Sequence, residues 1–284
     1  MTRTLTAADR SSLIRLASTL PVGSTERKAI LAGLSQTQAP GRVASSDDSN
    51  IPGKHILDSA EVINNAVVPD NAQVRNHAEV FDVAYVFDNA QVSDNAKVFG
   101  NAEVSDNAKV SGNAEVSSNA QVLGMAEVSG KAVVSGKATV SGSAKVGGNV
   151  YVFGSAKVSG NARVLGDAQV YVSAQVTDKA LVSDRAQVYD RAYVFSNAVL
   201  GGDAHVYGEA GVAGNAKVFG KAQVSGKARV FDNARVFGNA TVAGNAQVYG
   251  KATIGGTAVI LGGNWDGSEG PITSGKWSAP GVPA

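Results

Sequence analysis

A six-residue repeat runs through most of this chain of 284 residues. From Ala60 and Val62 to Ala258 and Ile260, a small and a large apolar residue recur in the order small-x-large, 34 times without an insertion or deletion. The small position is alanine in 33 repeats and the large position is valine in 31. A repeat this regular constrains the fold strongly, because every unit must adopt the same local structure.

The alternation of Ala and Val around one middle residue predicts a short β-strand, since side chains alternate between the two faces of a strand. The middle residue is commonly Glu, Lys, Gln, Arg or Thr, which favours an outward position. Gly, Asp and Asn follow, and these residues tolerate the positive φ of a tight corner. Three successive repeats close one coil, and stacked coils pair as parallel strands. The sequence therefore predicts an all-β, single-stranded parallel β-helix of about 11 coils.

The repeat resembles the hexapeptide repeat of left-handed parallel β-helix proteins, whose best-known members are acyltransferases of the transferase-hexapeptide family. In that family an aliphatic residue occupies a corner and a small residue lies two positions before it, as Val and Ala do here. The glycine or acidic residue that often follows the aliphatic residue directly lies one position later in this chain. The resemblance covers about 70% of the chain. It implies a left-handed, triangular coil, which departs from the usual right-handed crossover.

The N-terminal region differs from the repeat. Residues 1–34 predict a short helical hairpin with Leu13, Leu16 and Leu20 on an apolar face, and they weakly resemble helical segments of phage structural proteins. Because such short helices need a partner for their apolar faces, this module either docks another protein or caps the first coil. Residues 35–50 predict a flexible linker, and residues 51–261 predict the β-helix.

Residues 262–284 form a tail rich in Trp, Pro and Gly. This composition predicts that the coil does not continue past Leu261, since Pro and Gly interrupt regular structure. Trp265 and Trp277 are the only tryptophans, and two interpretations of them remain open. Either the tail is a lid that protects the open sheet end, or exposed indole rings contact a partner.

Composition excludes several classes of protein and site. The absence of cysteine excludes disulfides, a thiolate nucleophile and a cysteine-bearing zinc site. The formal net charge is +1, whereas dedicated nucleic-acid binders carry a strong basic excess. No apolar run approaches the length of a membrane span, and the N-terminus makes a poor secretion signal. We expect no cofactor, metal, nucleic acid or membrane partner, and a cytoplasmic or virion-associated location.

Candidates for catalysis are few. The resemblance implies that an enzyme of this type uses a histidine as general base, assisted by loops that protrude between coils. His205 lies at an outward position, and the residues three repeats away on either side are Gln187 and Gln223 rather than carboxylates. No repeat carries an insertion that would form a protruding loop. His205 is therefore a weak catalytic candidate, with a solvated surface histidine as the alternative.

Aromatic residues recur at the spacing of one coil. Phe153, Tyr171, Tyr189 and Tyr207 follow the large position in every third repeat, which predicts a single column. The column either stabilises a corner or forms a lengthwise contact strip. Since the proteins that the repeat resembles commonly trimerise, this column is the best interface candidate.

Charge is distributed unevenly along the repeat. Residues 58–127 hold 11 acidic and three basic residues, a balance of −8. Residues 128–260 hold 14 basic and seven acidic residues, a balance of +7. The asymmetry is either incidental to solvation or orients the molecule towards oppositely charged partners.

These features predict a non-enzymatic structural or assembly protein, a rigid rod in a virion or another bacterial or phage assembly. Self-association as a trimer or end to end is expected, and residues 1–34 are a candidate contact for a protein partner. Two alternatives stay open: an acyltransferase that uses acetyl-CoA, and a binding scaffold for a protein or polysaccharide.

Overall fold

The protein is an all-β parallel solenoid, as the repeat predicts. The computed structural model describes residues 16, 26, 29–30, 56, 59–64, 66–68 and 71–284. Short strands β1 to β36 stack into three sheets of 14, 11 and 11 strands, and the chain visits the three sheets in turn. Residues paired between neighbouring coils lie three repeats apart, as in Glu61 with Glu79. The predicted coil length is confirmed, whereas its handedness stays a prediction.

Each sheet forms one face of the solenoid. The first face contains β1 Glu61–Val62, β3 Glu79–Val80, β6 Lys97–Val98, β9 Glu115–Val116, β12 Val133–Val134, β15 Tyr151–Val152, β18 Gln169–Val170, β21 Gln187–Val188, β24 His205–Val206, β27 Gln223–Val224, β30 Thr241–Val242, β33 Val259–Ile260, β35 Lys276–Ala279 and β36 Val282–Pro283. The second face contains β4 Tyr85–Val86, β7 Glu103–Val104, β10 Gln121–Val122, β13 Thr139–Val140, β16 Lys157–Val158, β19 Gln175–Val176, β22 Tyr193–Val194, β25 Gly211–Val212, β28 Arg229–Val230, β31 Gln247–Val248 and β34 Asn264–Trp265. The third face contains β2 Gln73–Val74, β5 Gln91–Val92, β8 Lys109–Val110, β11 Glu127–Gly130, β14 Lys145–Gly148, β17 Arg163–Gly166, β20 Leu181–Val182, β23 Val199–Leu200, β26 Lys217–Val218, β29 Arg235–Val236 and β32 Thr253–Ile254.

The core consists of the two apolar positions of each repeat. From Ala72 to Val248, every residue at the small and large positions is buried. The residue between them points outward, as the strand period requires. Uniform Ala and Val side chains fill the interior in identical layers, so the neighbouring coils can stay in register.

The corners explain the residues that follow each valine. Gly, Asp, Asn or Ser occupies nearly all of the positive-φ positions in the coil, and Val172 is the exception. Corner aspartates also link coils, because their carboxylates accept hydrogen bonds from the backbone N–H of the corner residue one coil later. Asp190 accepts from Gly208 at 3.1 Å and Asp184 from Gly202 at 2.7 Å. The repeat thus specifies both the bend and a polar ladder along each corner.

The C-terminal tail continues the coil, so the prediction that the coil stops at Leu261 is wrong. Trp265 pairs with Val248, Ile272 with Ile254, and Trp277 with Ile260. Large side chains therefore occupy the three inward positions of one further turn, which compensates for the Gly-rich connections between them. Strand β36 then pairs antiparallel with β35.

Most of the predicted N-terminal hairpin lies outside the described residues. Leu16, Glu26, Ala29 and Ile30 are helical, and the remainder of residues 1–34 lies outside the described residues, as does the predicted linker 35–50. Leu13 and Leu20, two of the three candidate contact residues, belong to that remainder.

Candidate functional site

The predicted aromatic column is a continuous stack of rings. Ring centroids are 4.9 Å apart for Phe153 and Tyr171, 4.9 Å for Tyr171 and Tyr189, and 5.0 Å for Tyr189 and Tyr207, with planes within 9° of parallel. The stack lies at the corner that leads from the first face to the second. Burial raises the pKa of Tyr171 and Tyr189 above the ordinary value, and the charge of Asp190 adds to the effect.

One end of this stack carries an exposed apolar patch. Tyr151, Phe153 and Val172 are 47%, 37% and 48% exposed. Val172 has a φ of 61°, a conformation that is unfavourable for a β-branched residue. Strain and apolar exposure therefore coincide at one corner. We call Tyr151, Phe153 and Val172 the apolar patch.

His205 lies at an outward strand position, and its described neighbours include two glutamines and a tyrosine. Its strand pairs with Gln187 on one side and Gln223 on the other, as predicted. The imidazole ring packs against the edge of the Tyr189 ring, with centroids 6.2 Å apart and an interplanar angle of 85°. Among the described residues, no carboxylate hydrogen-bonds or ion-pairs with this imidazole, and no cluster of three acidic or histidine side chains could hold a metal ion.

The two tryptophans occupy the last turn. Trp265 is only 1% exposed and its indole N–H donates to the Gly262 carbonyl at 2.7 Å. Trp277 packs against it edge to face at 6.3 Å and donates to the Ser274 carbonyl at 2.9 Å. Trp265 is therefore not the exposed ring that a partner contact requires. The ring instead closes the end of the apolar core.

Ion pairs join charged side chains of neighbouring coils. Lys97 bonds Glu79 at 3.1 Å, and Arg185 bonds Asp203 at 2.7 Å. Such pairs cancel charge locally and leave the two regional balances unchanged. The acidic and basic halves of the repeat therefore remain as the sequence defines them.

A trench crosses the second face, and sequence reasoning missed it. Its volume is about 780 Å³, and it lies over β25, where Gly211 and Ala213 are the outward residues. The coil before it contributes Tyr193 and Phe195, and the coil after it contributes Arg229, Phe231 and Asp232. Glycine at an outward position was the available signal, because neighbouring coils carry Tyr193 and Arg229 at that position.

Comparison with known proteins supports the repeat architecture. The profile of the YdcK beta solenoid repeat family matches residues 156–171, 228–244 and 234–250. No curated protein and no solved structure matched the chain. The match supports a repeat β-solenoid and carries no statement about transferase activity or phage assembly. Among the described residues, no helix is both long and apolar enough to span a membrane.

Proposed function

We propose that this protein is a non-enzymatic, rod-shaped scaffold that acts in a bacterial or phage assembly, with a virion as the expected setting. The observation that carries the proposal is the continuity of the coil. From Gln73 to Ile254 the paired strands keep a constant offset of three repeats, with no inserted loop. A repetitive solenoid of this kind presents long, flat faces and suits a structural role.

The acyltransferase alternative finds less support. The resemblance would require a histidine general base within loops that enclose the substrates. His205 lies on a loop-free face between two glutamines and against the edge of a tyrosine ring. Among the described residues, no protruding loop beside this imidazole would enclose an acyl donor.

The proposed scaffold associates with further copies of itself through the apolar patch. Exposed apolar side chains that lie together often mark an interface, and backbone strain is retained where it serves a function. Tyr151, Phe153 and Val172 combine both features. The stacked rings next to the patch hold a rigid surface against which a second rod can pack.

The charge balance gives the association a direction. An acidic region of −8 precedes a basic region of +7 along the coil axis. Antiparallel side-by-side rods, or rods placed head to tail, bring opposite charges together, whereas parallel side-by-side rods do not. Antiparallel or end-to-end contacts are therefore the arrangements that electrostatics favours, and their strength should fall as salt rises.

The proposal is tested by measuring mass in solution and imaging particles by electron microscopy. The full chain is expected to form oligomers or filaments, and Phe153→Ser is expected to shift them towards monomer. Phe219→Ser is the matched control, because Phe219 is 36% exposed and also stacks on an aromatic neighbour in the next coil. A monodisperse monomer at high concentration, together with unchanged partners after deletion of residues 1–34, would refute the assembly role. Saturable acetyl-CoA binding that is lost in His205→Ala would favour the acyltransferase instead.

A further inference from the structure

The trench on the second face exists because two outward residues of one coil are small. Gly211 lies between Tyr193 and Arg229 in the parallel sheet. Ala213 occupies the position that holds Phe195 one coil earlier and Phe231 one coil later. The space above Gly211 and Ala213 is therefore bounded by side chains from the two neighbouring coils.

The fold itself does not require these small residues. Gly211 is not among the positive-φ positions, and a Cβ atom built on it meets nothing within 4 Å. Glycine also weakens a strand relative to residues with side chains. A larger residue would be accommodated at this position, so the consequence of glycine is the open space.

The gap between the two phenylalanines has the height of one ring. Aromatic rings in adjacent coils stack at 4.9 to 5.4 Å, as Phe231 does on Tyr249 at 5.1 Å. Phe195 and Phe231 are two coils apart, so their backbone positions are separated by about 10 Å. A flat ring inserted over Ala213 would stack on both of them at the spacing that the protein uses elsewhere.

Polar groups line both ends of the trench. At one end Arg191 and Glu209 form an ion pair of 3.7 Å. At the other end are Ser196 and Asp232. Arg229 is exposed in the trench and its guanidinium has no ion pair or hydrogen bond with any other described residue. Its five donors are free for an anionic ligand group.

We propose that the trench binds a polysaccharide containing acidic sugars, with one sugar ring between Phe195 and Phe231 and its carboxylate on Arg229. A pyranose ring with equatorial substituents, such as a β-linked glucuronate, presents C–H groups on both faces and hydroxyl groups around its edge. Those two chemistries match aromatic walls and polar ends. An aromatic acid would be polar on one side only. Arg191 pairs with Glu209, and Asp232 accepts the Gly250 N–H at 3.2 Å. Arg229 has no such partner among the described residues and therefore favours an anion over a cation.

The dimensions of the trench favour an oligosaccharide over a single sugar. The volume of about 780 Å³ lies in the upper part of the range for ligand sites, about 300–1,000 Å³. The trench reaches from the corner at Glu209 to the corner at Asp232. Sugar units before and after the stacked ring would therefore lie along the trench and leave it at both ends.

Calorimetric titration of the full chain with a hyaluronan tetrasaccharide, whose β-glucuronate rings have equatorial substituents, tests the proposal. We expect it to bind, and we expect neutral cellotetraose, which has a similar ring shape without the carboxylate, and benzoate not to bind. Gly211→Gln and Ala213→Phe fill the trench with residue types found in the same columns, and should raise Kd tenfold or more. Arg229→Gln should raise Kd about tenfold through loss of a charge-assisted hydrogen bond.

Matched controls distinguish loss of the site from a general effect. Thr139→Gln and Ser141→Phe place the same side chains at the same two positions of the second face, four coils before the trench. Arg235→Gln removes an exposed arginine from the third face. These three variants should bind as the wild type does. Equal binding by the trench-filling variants, equal binding of cellotetraose, binding of benzoate alone, or no binding of the hyaluronan tetrasaccharide would each overturn the proposal.

Discussion

Replacing Val172 with aspartate is expected to stabilise the protein, although it removes an apolar residue. Val172 occupies a corner position with a φ of 61°, where the other corners carry Gly, Asp, Asn or Ser. The left-handed conformation costs about 1–2 kcal/mol for an L-residue with a Cβ atom, and β-branching adds to the crowding. Aspartate tolerates this conformation better, because its short polar side chain bonds locally.

Aspartate at this position also completes the polar ladder of the corner. Its carboxylate would accept the backbone N–H of Asp190, as Asp190 itself accepts that of Gly208 at 3.1 Å. An exposed hydrogen bond of this kind contributes about 1 kcal/mol. Repulsion between the two exposed carboxylates offsets about 0.5 kcal/mol. The net stabilisation is about 1.5–2 kcal/mol.

Thermal unfolding followed by circular dichroism measures the effect. At about 2–4 °C per kcal/mol for a chain of this size, Val172→Asp should raise Tm by about 5 °C. Asp190→Val is the reverse exchange one coil later, and it should lower Tm by a similar amount, because it introduces the strain and removes the bond to Gly208. Because Val172 also belongs to the apolar patch, both Tm values are measured at a protein concentration low enough for the chain to be monomeric. A Tm of Val172→Asp at or below that of the wild type under this condition would refute the reasoning about strain.

Three further predictions concern the corners, the last turn and the tyrosine stack. Gly148→Ala should lower the free energy of unfolding by about 3 kcal/mol, because φ is +97° and the added Cβ atom would meet the Gly166 backbone oxygen at 2.5 Å. Gly211→Ala is the control, and it should change the free energy of unfolding by less than about 0.5 kcal/mol. Trp265→Ala should cost about 3–5 kcal/mol by opening a cavity at the end of the core, which limited proteolysis would detect as early cleavage of the C-terminal turn. Burial raises the pKa of Tyr171 and Tyr189, so the folded protein favours the protonated phenols. Their contribution to the free energy of unfolding is therefore fully present below about pH 10 and is lost as pH rises through the folded-state pKa. In ultraviolet titration, Tyr171→Phe and Tyr189→Phe should each remove a phenol that ionises above about pH 10, and loss of a phenol that ionises at or below about pH 10 would contradict the prediction.

The fold follows from the sequence because the repeat contains all of its local information. The two apolar positions define the inward side of each strand, and Gly or Asp defines each bend. The tail was predicted wrongly for a physical reason. Trp265, Ile272 and Trp277 lie at irregular spacing, yet their large side chains fill the three inward positions of a turn. Burial of these side chains outweighs the poor strand propensity of the segments between them.

The candidate sites follow from the sequence only in part. The aromatic column was predictable, because a coil of three repeats places Phe153 and Tyr171 in adjacent layers. The trench was not predicted, because it is defined by missing side chains at Gly211 and Ala213. The strain at Val172 likewise requires a backbone angle, which the repeat indicates only by the identity of the residues at equivalent corners.

In a solenoid, each residue can be compared with the residues at the equivalent position of the neighbouring coils. Every position has equivalents one coil before and one coil after it, in nearly the same backbone conformation and the same degree of burial. At Val172 the fold favours Asp or Gly, and the chain instead carries a strained, exposed apolar residue. At Gly211 the fold accepts a side chain, and the chain leaves the space open. Neither departure improves the packing of the coil, and strain or open space that does not serve stability is expected where a surface serves binding. The apolar patch and the trench are therefore the two places on this rod where substitutions should separate function from folding.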